Sequence, residues 1–279
     1  MTVRAGVVGS PARHSLSPLI HSAWLKAAGI DGVYRLYDIA ADGFAGFLQG
    51  ALDDGLRGVN VTLPFKEQAL MAADEASEAA QLAGAANLLI FEGGGIRAQN
   101  TDGEGLLYAL ARQAPGVDFI RKPVVLLGAG GAAKGAAAAL ANAGAMEIRI
   151  VNRTGARADQ LAVELMLDFE TDVMRWDFDG ALEGAGLLIN AATAGLGGHD
   201  DRRLDLSGAS PDLVVMDMVY SPLTTPLLTK AIARGLRTVD GLEMLIGQAI
   251  PSFEALFAQQ PPADVDVRGL ALAELERRG

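Results

Sequence analysis

Apolar and polar positions follow two rhythms along the first hundred residues, and each change of rhythm marks an element. Short apolar runs rich in β-branched residues predict strands over about 3–8, 32–39 and 56–63. Between them apolar residues recur at helical spacing, which predicts helices over 17–28, 44–52 and 65–78. A hairpin follows, in which Asn87-Leu88-Leu89-Ile90-Phe91 returns through Gly93-Gly94-Gly95 into Ile96 and Arg97. Residues 101–113 read as a helix entered through Thr-Asp, as a capped start would be. Beyond Pro123, strands are predicted over 123–127, 147–151, 173–178, 186–190 and 213–218, with helices between several of them. That β-α-β rhythm is the mark of a doubly wound parallel sheet. After Asp240 a helical pattern begins at Leu242, Leu245, Ile246, Ala249, Phe253 and Leu256, with Pro251 as a kink. Pro261-Pro262 then breaks the chain before a short final helix. The expected fold class is α/β in two domains: residues 1–104 with 240–279, and an inserted domain over 105–239.

The turn after the strand at 123–127 carries the strongest local chemistry. In Val124-Val125-Leu126-Leu127-Gly128-Ala129-Gly130-Gly131-Ala132-Ala133, the residues Gly128, Gly130 and Ala133 occupy the G-x-G-x-x-A positions. The first glycine permits a tight turn, the second bares backbone to a pyrophosphate, and the small third residue allows close helix–strand packing. The helix that follows, over about 131–143, offers free N–H groups and a positive dipole end to an anion. An ordinary packing turn is the alternative; the β-branched strand before the turn and the alanine-rich helix after it favour a bound dinucleotide. The next strand ends in Asn152-Arg153-Thr154-Gly155-Ala156-Arg157, with no Asp or Glu to accept from ribose hydroxyls. Arg153 and Arg157 stand there instead, and guanidinium forks match the oxygens of a 2′-phosphate. The cofactor expected is NADP(H), and this domain is expected to be Rossmann-like.

Composition narrows the remaining classes. The chain has 279 residues, room for about two domains, and no apolar run near the roughly 20 residues that span a bilayer. Its N-terminus enters an apolar strand without a cleavable signal pattern, so a cytoplasmic protein is expected. A net charge of −11 argues against nucleic acid or an anionic membrane as partner. There is no cysteine, hence no disulfide and no thiol chemistry. His14, His21 and His199 lack metal-ligand spacing, and no metal is expected.

Three polar clusters interrupt apolar sequence at strand ends in the first domain. Gly9-Ser10-Pro11-Ala12-Arg13-His14-Ser15-Leu16-Ser17-Pro18 sets two hydroxyls ahead of a proline at a helix start. There they either present a carboxylate with hydroxyls and helix N–H groups, or Ser17 simply caps the helix. Gly58-Val59-Asn60-Val61-Thr62-Leu63-Pro64-Phe65-Lys66 ends a strand and puts Lys66 in the first turn of a helix. A cation is disfavoured at that end, which points to another task for Lys66, although a solvated lysine also satisfies the pattern. Asn100-Thr101-Asp102 opens a helix with Asn87 across the hairpin, and capping alone would explain Asp102.

In order, these pieces resemble the shikimate dehydrogenase family along almost the whole chain. Gly9-Ser10-Pro11 with His14-Ser15-Leu16-Ser17-Pro18 is similar to the family's G-x-P-x-x-H-S-x-S-P, Asn60 to Lys66 to its N-V-T-x-P-x-K, and Asn100-Thr101-Asp102 to its N-T-D. The Gly128 loop, Asn152-Arg153-Thr154, Asp217-Met218-Val219-Tyr220 and Asp240-Gly241-Leu242-Glu243-Met244-Leu245 through Gln248 follow in the family's order. Departures occur at Ser22, Leu88, Ala98-Gln99 and Asn190-Ala191-Ala192-Thr193, none at a proposed catalytic group.

The resemblance implies NADPH-dependent, reversible reduction of 3-dehydroshikimate to shikimate, with Lys66 and Asp102 as catalytic pair. By the same resemblance Ser15 and Ser17 bind the carboxylate, Thr62, Asn87, Asp102 and Gln248 hold ring hydroxyls, and Tyr220 lies near the substrate. It implies that Gly128, Ala129, Gly130, Gly131, Ala132, Asn152, Arg153, Thr154, Arg157, Met218 and Gly241 bind NADP(H). The implied architecture is a substrate domain and a nucleotide domain, with the C-terminal helices returning to the first and the active site in the cleft. Lys66 would donate the proton to the developing alkoxide, and Asp102 would orient it. The chain would act as a monomer or a homodimer. Alternatives are an NAD-using quinate/shikimate dehydrogenase, an aminoshikimate-type paralogue, and a nucleotide-sensing protein that has lost catalysis.

Overall fold

The computed structural model describes residues 2–175, 178–192 and 205–278. Thr193 and His199 lie outside the described residues, as do positions 176 and 177 of the strand expected over 173–178. The chain divides into two units, Met1–Asp102 with Leu245–Gly279, and Gly103–Met244. The divisions fall after Asp102 and Met244, each of which lies in a helix.

The first unit is built on β1 (Val3–Gly9), α1 (Ser17–Ala28), β2 (Gly32–Asp38), α2 (Phe44–Asp53), β3 (Gly58–Val61), α3 (Lys66–Met71), β4 (Glu75–Ala76), α4 (Glu78–Ala83), β5 (Leu88–Glu92) and β6 (Gly95–Gln99). Its sheet runs β2-β1-β3-β5-β6-β4, with β1, β2 and β3 parallel, β5 antiparallel to β3, and β6 antiparallel to β5. β1 and β3 are near-continuous apolar runs because both faces are covered. Val8, Val59, Val61, Phe65 and Leu89 meet Phe44 and Leu48 of α2 in one core. One helix expectation is corrected here. The helix expected over 65–78 stops at Met71, where the Asp74 carboxylate accepts the Ile96 N–H at 2.8 Å. Glu75–Ala76 then pairs with β6, and the Ser77 hydroxyl caps α4 by accepting from Ala80 N–H at 3.3 Å.

The second unit follows with α5 (Asp102–Gln113), whose first residue belongs to the first unit, then β7 (Val124–Leu127), α6 (Gly131–Asn142), β8 (Glu147–Val151), α7 (Gly155–Asp168), β9 (Asp172–Arg175), α8 (Phe178–Ala181), β10 (Leu187–Asn190), β11 (Val214–Asp217), α9 (Pro226–Ala233) and β12 (Arg237–Val239). Its sheet is parallel throughout in the order β12-β11-β10-β7-β8-β9. This is the doubly wound sheet that the β-α-β rhythm implies. α10 (Gly241–Phe257) contains Pro251 and carries the chain back into the first unit, where α11 (Val267–Arg278) ends it. Among the described residues no helix is long and apolar enough to cross a membrane.

Candidate active site

In the first unit β1 has β2 on one side and β3 on the other, so the loops leaving the carboxyl ends of β1 and β3 flank a topological switch point. The two loops are tied together: Ser10 N–H donates to Leu63 O at 3.0 Å and Thr62 N–H to Val8 O at 2.9 Å. A Cβ on Gly9 would lie 2.4 Å from Thr62 Cγ2, so only glycine allows this approach. Ser15 and Ser17 sit on the first loop and at the first turn of α1. The Ser15 hydroxyl accepts the Ser17 N–H at 3.2 Å, so Ser15, not Ser17, satisfies the helix start. Ser17 is thereby left free of the capping task and is buried. Arg278, near the end of α11, donates to the His14 carbonyl at 2.8 Å and braces the same loop from outside.

Lys66 opens α3. Phe65 before it is fully buried and stacks on Phe44 with ring centroids 4.8 Å apart, which fixes the direction in which the next side chain leaves. Lys66 Nζ lies 2.5 Å from Asp102 Oδ2, with side chains 27 % and 21 % exposed. The pair explains the lysine at a helix N-terminus, since Asp102 offsets the dipole there. Asp102 is the first residue of α5, and the capping expected of Thr101-Asp102 falls instead to Asn100, whose Oδ1 accepts the Asp102 N–H at 3.0 Å. Released from capping, the carboxylate has both oxygens engaged: Oδ2 by Lys66, and Oδ1 by Asn87 Nδ2 at 2.9 Å. Thr101 N–H donates to Asn87 Oδ1 at 2.8 Å, which sets that carboxamide with its amino group toward Asp102. Gln248 on α10 completes the group, its Oε1 accepting from Asn87 Nδ2 at 3.3 Å.

Lys66, Asp102, Asn87 and Gln248 are thus joined directly, with Thr62 in the loop leading to Lys66. Three buried residues to which the sequence assigned no role stand behind them: Asn60, Tyr34 and Ser252. Asn60 Nδ2 donates to Asn87 O at 3.2 Å and Ser252 Oγ at 2.9 Å, while Tyr34 donates to Asn60 Oδ1 at 2.8 Å. The signal for Ser252 is its place one helical turn after Gln248 in an otherwise apolar run. Tyr34 carried no such signal.

In the second unit β7 lies between β10 and β8, and the Gly128 loop leaves its carboxyl end at that sheet's own switch point. Gly128 has φ +113°, and a Cβ there would meet the backbone of Ala191 at 3.4 Å. A Cβ on Gly130 would meet nothing, and no side chain caps the N-terminus of α6. The orphan N–H groups of that turn are therefore available to an anion. Ala129, Gly131 and Ala132 lie in the same turn. At the end of β8, Asn152 Nδ2 closes onto Thr154 O at 2.9 Å, and Arg153 and Arg157 are exposed. Among the described residues neither arginine has a carboxylate partner, and both stand at the start of α7, where the dipole disfavours a cation. Bare backbone, uncapped N–H groups and two uncommitted guanidiniums fit a phosphorylated dinucleotide.

Met218 and Gly241 meet in this unit, for a Cβ on Gly241 would lie 2.5 Å from Met218 O. The loop from Met218 to Thr225, which includes half-buried Tyr220, hangs on the buried Asp217 carboxylate. That carboxylate accepts from Val219 N–H at 3.0 Å, Asn190 Nδ2 at 3.0 Å and Thr225 Oγ1 at 2.6 Å. Tyr220 lies in this unit, whereas the other expected substrate residues lie in the first.

Comparison with known proteins agrees with both halves. Residues 7–89 match the shikimate dehydrogenase substrate binding domain, and residues 109–195 match the shikimate / quinate 5-dehydrogenase family. The chain is 54% identical over 271 residues to shikimate dehydrogenase (NADP(+)) of Caulobacter vibrioides, covering 96% of this chain and 94% of that one. Among solved structures it is similar to shikimate 5-dehydrogenase from Thermus thermophilus in complex with NADP(H) and shikimate, at TM-score 0.84 and 36% identity, over 99% of each chain. It is also similar to quinate dehydrogenase from Corynebacterium glutamicum in complex with NAD, at TM-score 0.86 and 30% identity, over 98% and 99% of the two chains.

Proposed function

The chain belongs to the shikimate dehydrogenase family, and we propose that its first unit holds and protonates the acid while its second binds the dinucleotide. The reaction is the NADPH-dependent, reversible reduction of 3-dehydroshikimate to shikimate, a step of aromatic amino-acid biosynthesis at a CH–OH carbon. When bound, NADPH supplies the hydride. The chain's own residues have to manage the charge left on the former ketone oxygen.

Lys66 is assigned that task, because an ammonium both stabilises an alkoxide and gives it a proton. Asp102 holds Nζ at 2.5 Å, and its other oxygen is taken by Asn87, so it orients Lys66 rather than carrying the proton. The hydroxyls of Ser15 and Ser17 take the carboxylate. Thr62, Asn87, Asp102 and Gln248 take ring hydroxyls. For the nucleotide, the Gly128–Ala132 turn receives the pyrophosphate, and Arg153 and Arg157 the 2′-phosphate, with Asn152, Thr154, Met218 and Gly241 around them. We infer a cytoplasmic enzyme, monomeric or homodimeric, and sedimentation of the purified protein tests its assembly.

The observation that carries this reading is the joined group of Lys66, Asp102 and Asn87 beside the serine loop. Its test is NADP⁺ reduction with shikimate, followed by absorbance of the reduced nicotinamide beside parallel runs with quinate and with NAD⁺. Turnover dominated by shikimate with NADP⁺ is expected. Preference for quinate or NAD⁺ would overturn the specificity, and absence of turnover with every pair would overturn the reaction.

A further inference from the structure

α10 runs through a proline. Pro251 has no N–H to give to Gly247 O, so the helix loses a rung of its ladder at the turn that carries Gln248. Hydroxyls of Thr101 and Ser252 hold that turn instead. Thr101 Oγ1 donates to Gln248 O at 3.0 Å, and Ser252 Oγ donates to the same carbonyl at 2.9 Å. Ser252 Oγ also accepts from Asn60 Nδ2 at 2.9 Å and lies 3.3 Å from Thr101 Oγ1. This one oxygen therefore touches β3 through Asn60, the start of α5 through Thr101, and α10 itself. The Gln248 side chain leaves the turn so held, with Nε2 donating to Leu245 O at 2.8 Å and Oε1 accepting from Asn87 Nδ2 at 3.3 Å. Ser252 is fully buried, too enclosed to meet the substrate itself.

We propose that Ser252 is a positioning residue for the reaction: its hydroxyl fixes the proline-interrupted turn of α10 against β3 and the start of α5, and so sets where the Gln248 carboxamide stands beside Asn87. The proposal rests on the ring-hydroxyl role assigned to Gln248. A carboxamide on a long side chain binds a hydroxyl well only if its backbone is held in place beforehand, which is the usual gain from preorganisation. A side chain that filled space alone would not need the oxygen, and alanine would suit the helix better.

Gln248→Ala is made first and should raise KM for shikimate by about tenfold, the loss of a hydrogen bond to the ring. Ser252→Ala should then raise the same KM by about fivefold, and by no more than Gln248→Ala does. KM for NADP⁺ should be unchanged and kcat should stay within about threefold, since Lys66 and Asp102 keep their partners. In a Gln248→Ala background, Ser252→Ala should raise KM by less than about twofold, because the two act through one side chain. A general loosening of the unit would raise KM equally in both backgrounds, and that result would overturn the proposal. So would an unchanged KM in Ser252→Ala, or a fall confined to kcat. Ser252→Cys exchanges the hydroxyl for a weak donor and acceptor, should raise KM in the same direction, and carries the test if Ser252→Ala melts early. An unchanged KM in Gln248→Ala itself is seen before Ser252 is touched, and would sink the ring-hydroxyl role and this proposal together.

Discussion

His21 should make the native protein lose stability on mild acidification, well before its carboxylates titrate. The residue is fully buried, both ring nitrogens lack a hydrogen-bond partner among the described residues, and rings of Tyr34, Trp24 and Phe253 surround it. Burial pushes its pKa from 6.5 down to about 3. The unfolded chain therefore takes up a proton as the pH falls through 6.5, while the native chain does not until about 3. More protons on the unfolded state means that stability is complete above the unfolded pKa and falls with pH below it. The slope approaches about 1.4 kcal/mol per pH unit, so pH 5 should cost about 2 kcal/mol relative to neutral pH. Asp38, Asp118, Glu164, Asp212 and Glu274 are all held below their ordinary carboxylate values by hydrogen bonds and neighbouring cations, so their losses come at lower pH. Those carboxylate losses therefore stay below the interval between pH 7 and 5. Urea unfolding across that interval, read by Trp24 fluorescence in a Trp176→Phe background, gives the slope. His21→Leu, which carries no proton, should flatten it whatever its absolute stability. A slope that persists in His21→Leu would refute the assignment.

Further consequences follow from the two units. Lys66→Met should lower kcat by about 10² to 10⁴ while leaving KM for NADP⁺ unchanged; because the ion pair with Asp102 is partly exposed, the melting temperature should shift little. Steady-state kinetics with thermal melts separate these effects, and a kcat loss smaller than tenfold would remove Lys66 from proton transfer. Arg153→Ala should raise KM for NADPH by tenfold or more, the loss of about 1.5–3 kcal/mol for a charged hydrogen bond, and leave KM for NADH nearly untouched. Equal weakening of both cofactors would contradict the 2′-phosphate role. Gly241→Ala forces a Cβ to within 2.5 Å of Met218 O, so the melt should report a loss of about 1–3 kcal/mol. A neutral Gly241→Ala would mean that the loop at Met218 yields freely.

Much of the fold was legible because its strands are short apolar runs between turn residues. The strand over 147–151 and the helix over 17–28 stand where the pattern put them, and the Gly128 turn enters α6 as its glycines required. The failures share a cause. The helix expected over 65–78 continues an apolar spacing past Met71, but Asp74 and Ser77 find partners on β6, about twenty residues further on, and their backbone follows. Capping was misread in the same way: Ser17 and Thr101 are good capping residues, yet Ser15 and Asn100 take the N–H groups there, and the Thr101 hydroxyl is left to reach Gln248 O.

What the amino-acid order determined alone is everything that depends on a few neighbouring residues: the α/β rhythm, the bare turn at Gly128 and Gly130, the arginines in place of a carboxylate after β8, and the placing of Lys66 at a helix start. Hydrophobic period, glycine freedom and the helix dipole act over that range. What only the tertiary structure decided is which polar groups meet. Asn87 reaches Gln248 across 161 positions and Asn60 reaches Ser252 across 192. Those bonds exist only once sheet register and helix packing have fixed where each side chain emerges, and being buried, each group must then find a partner or destabilise the fold.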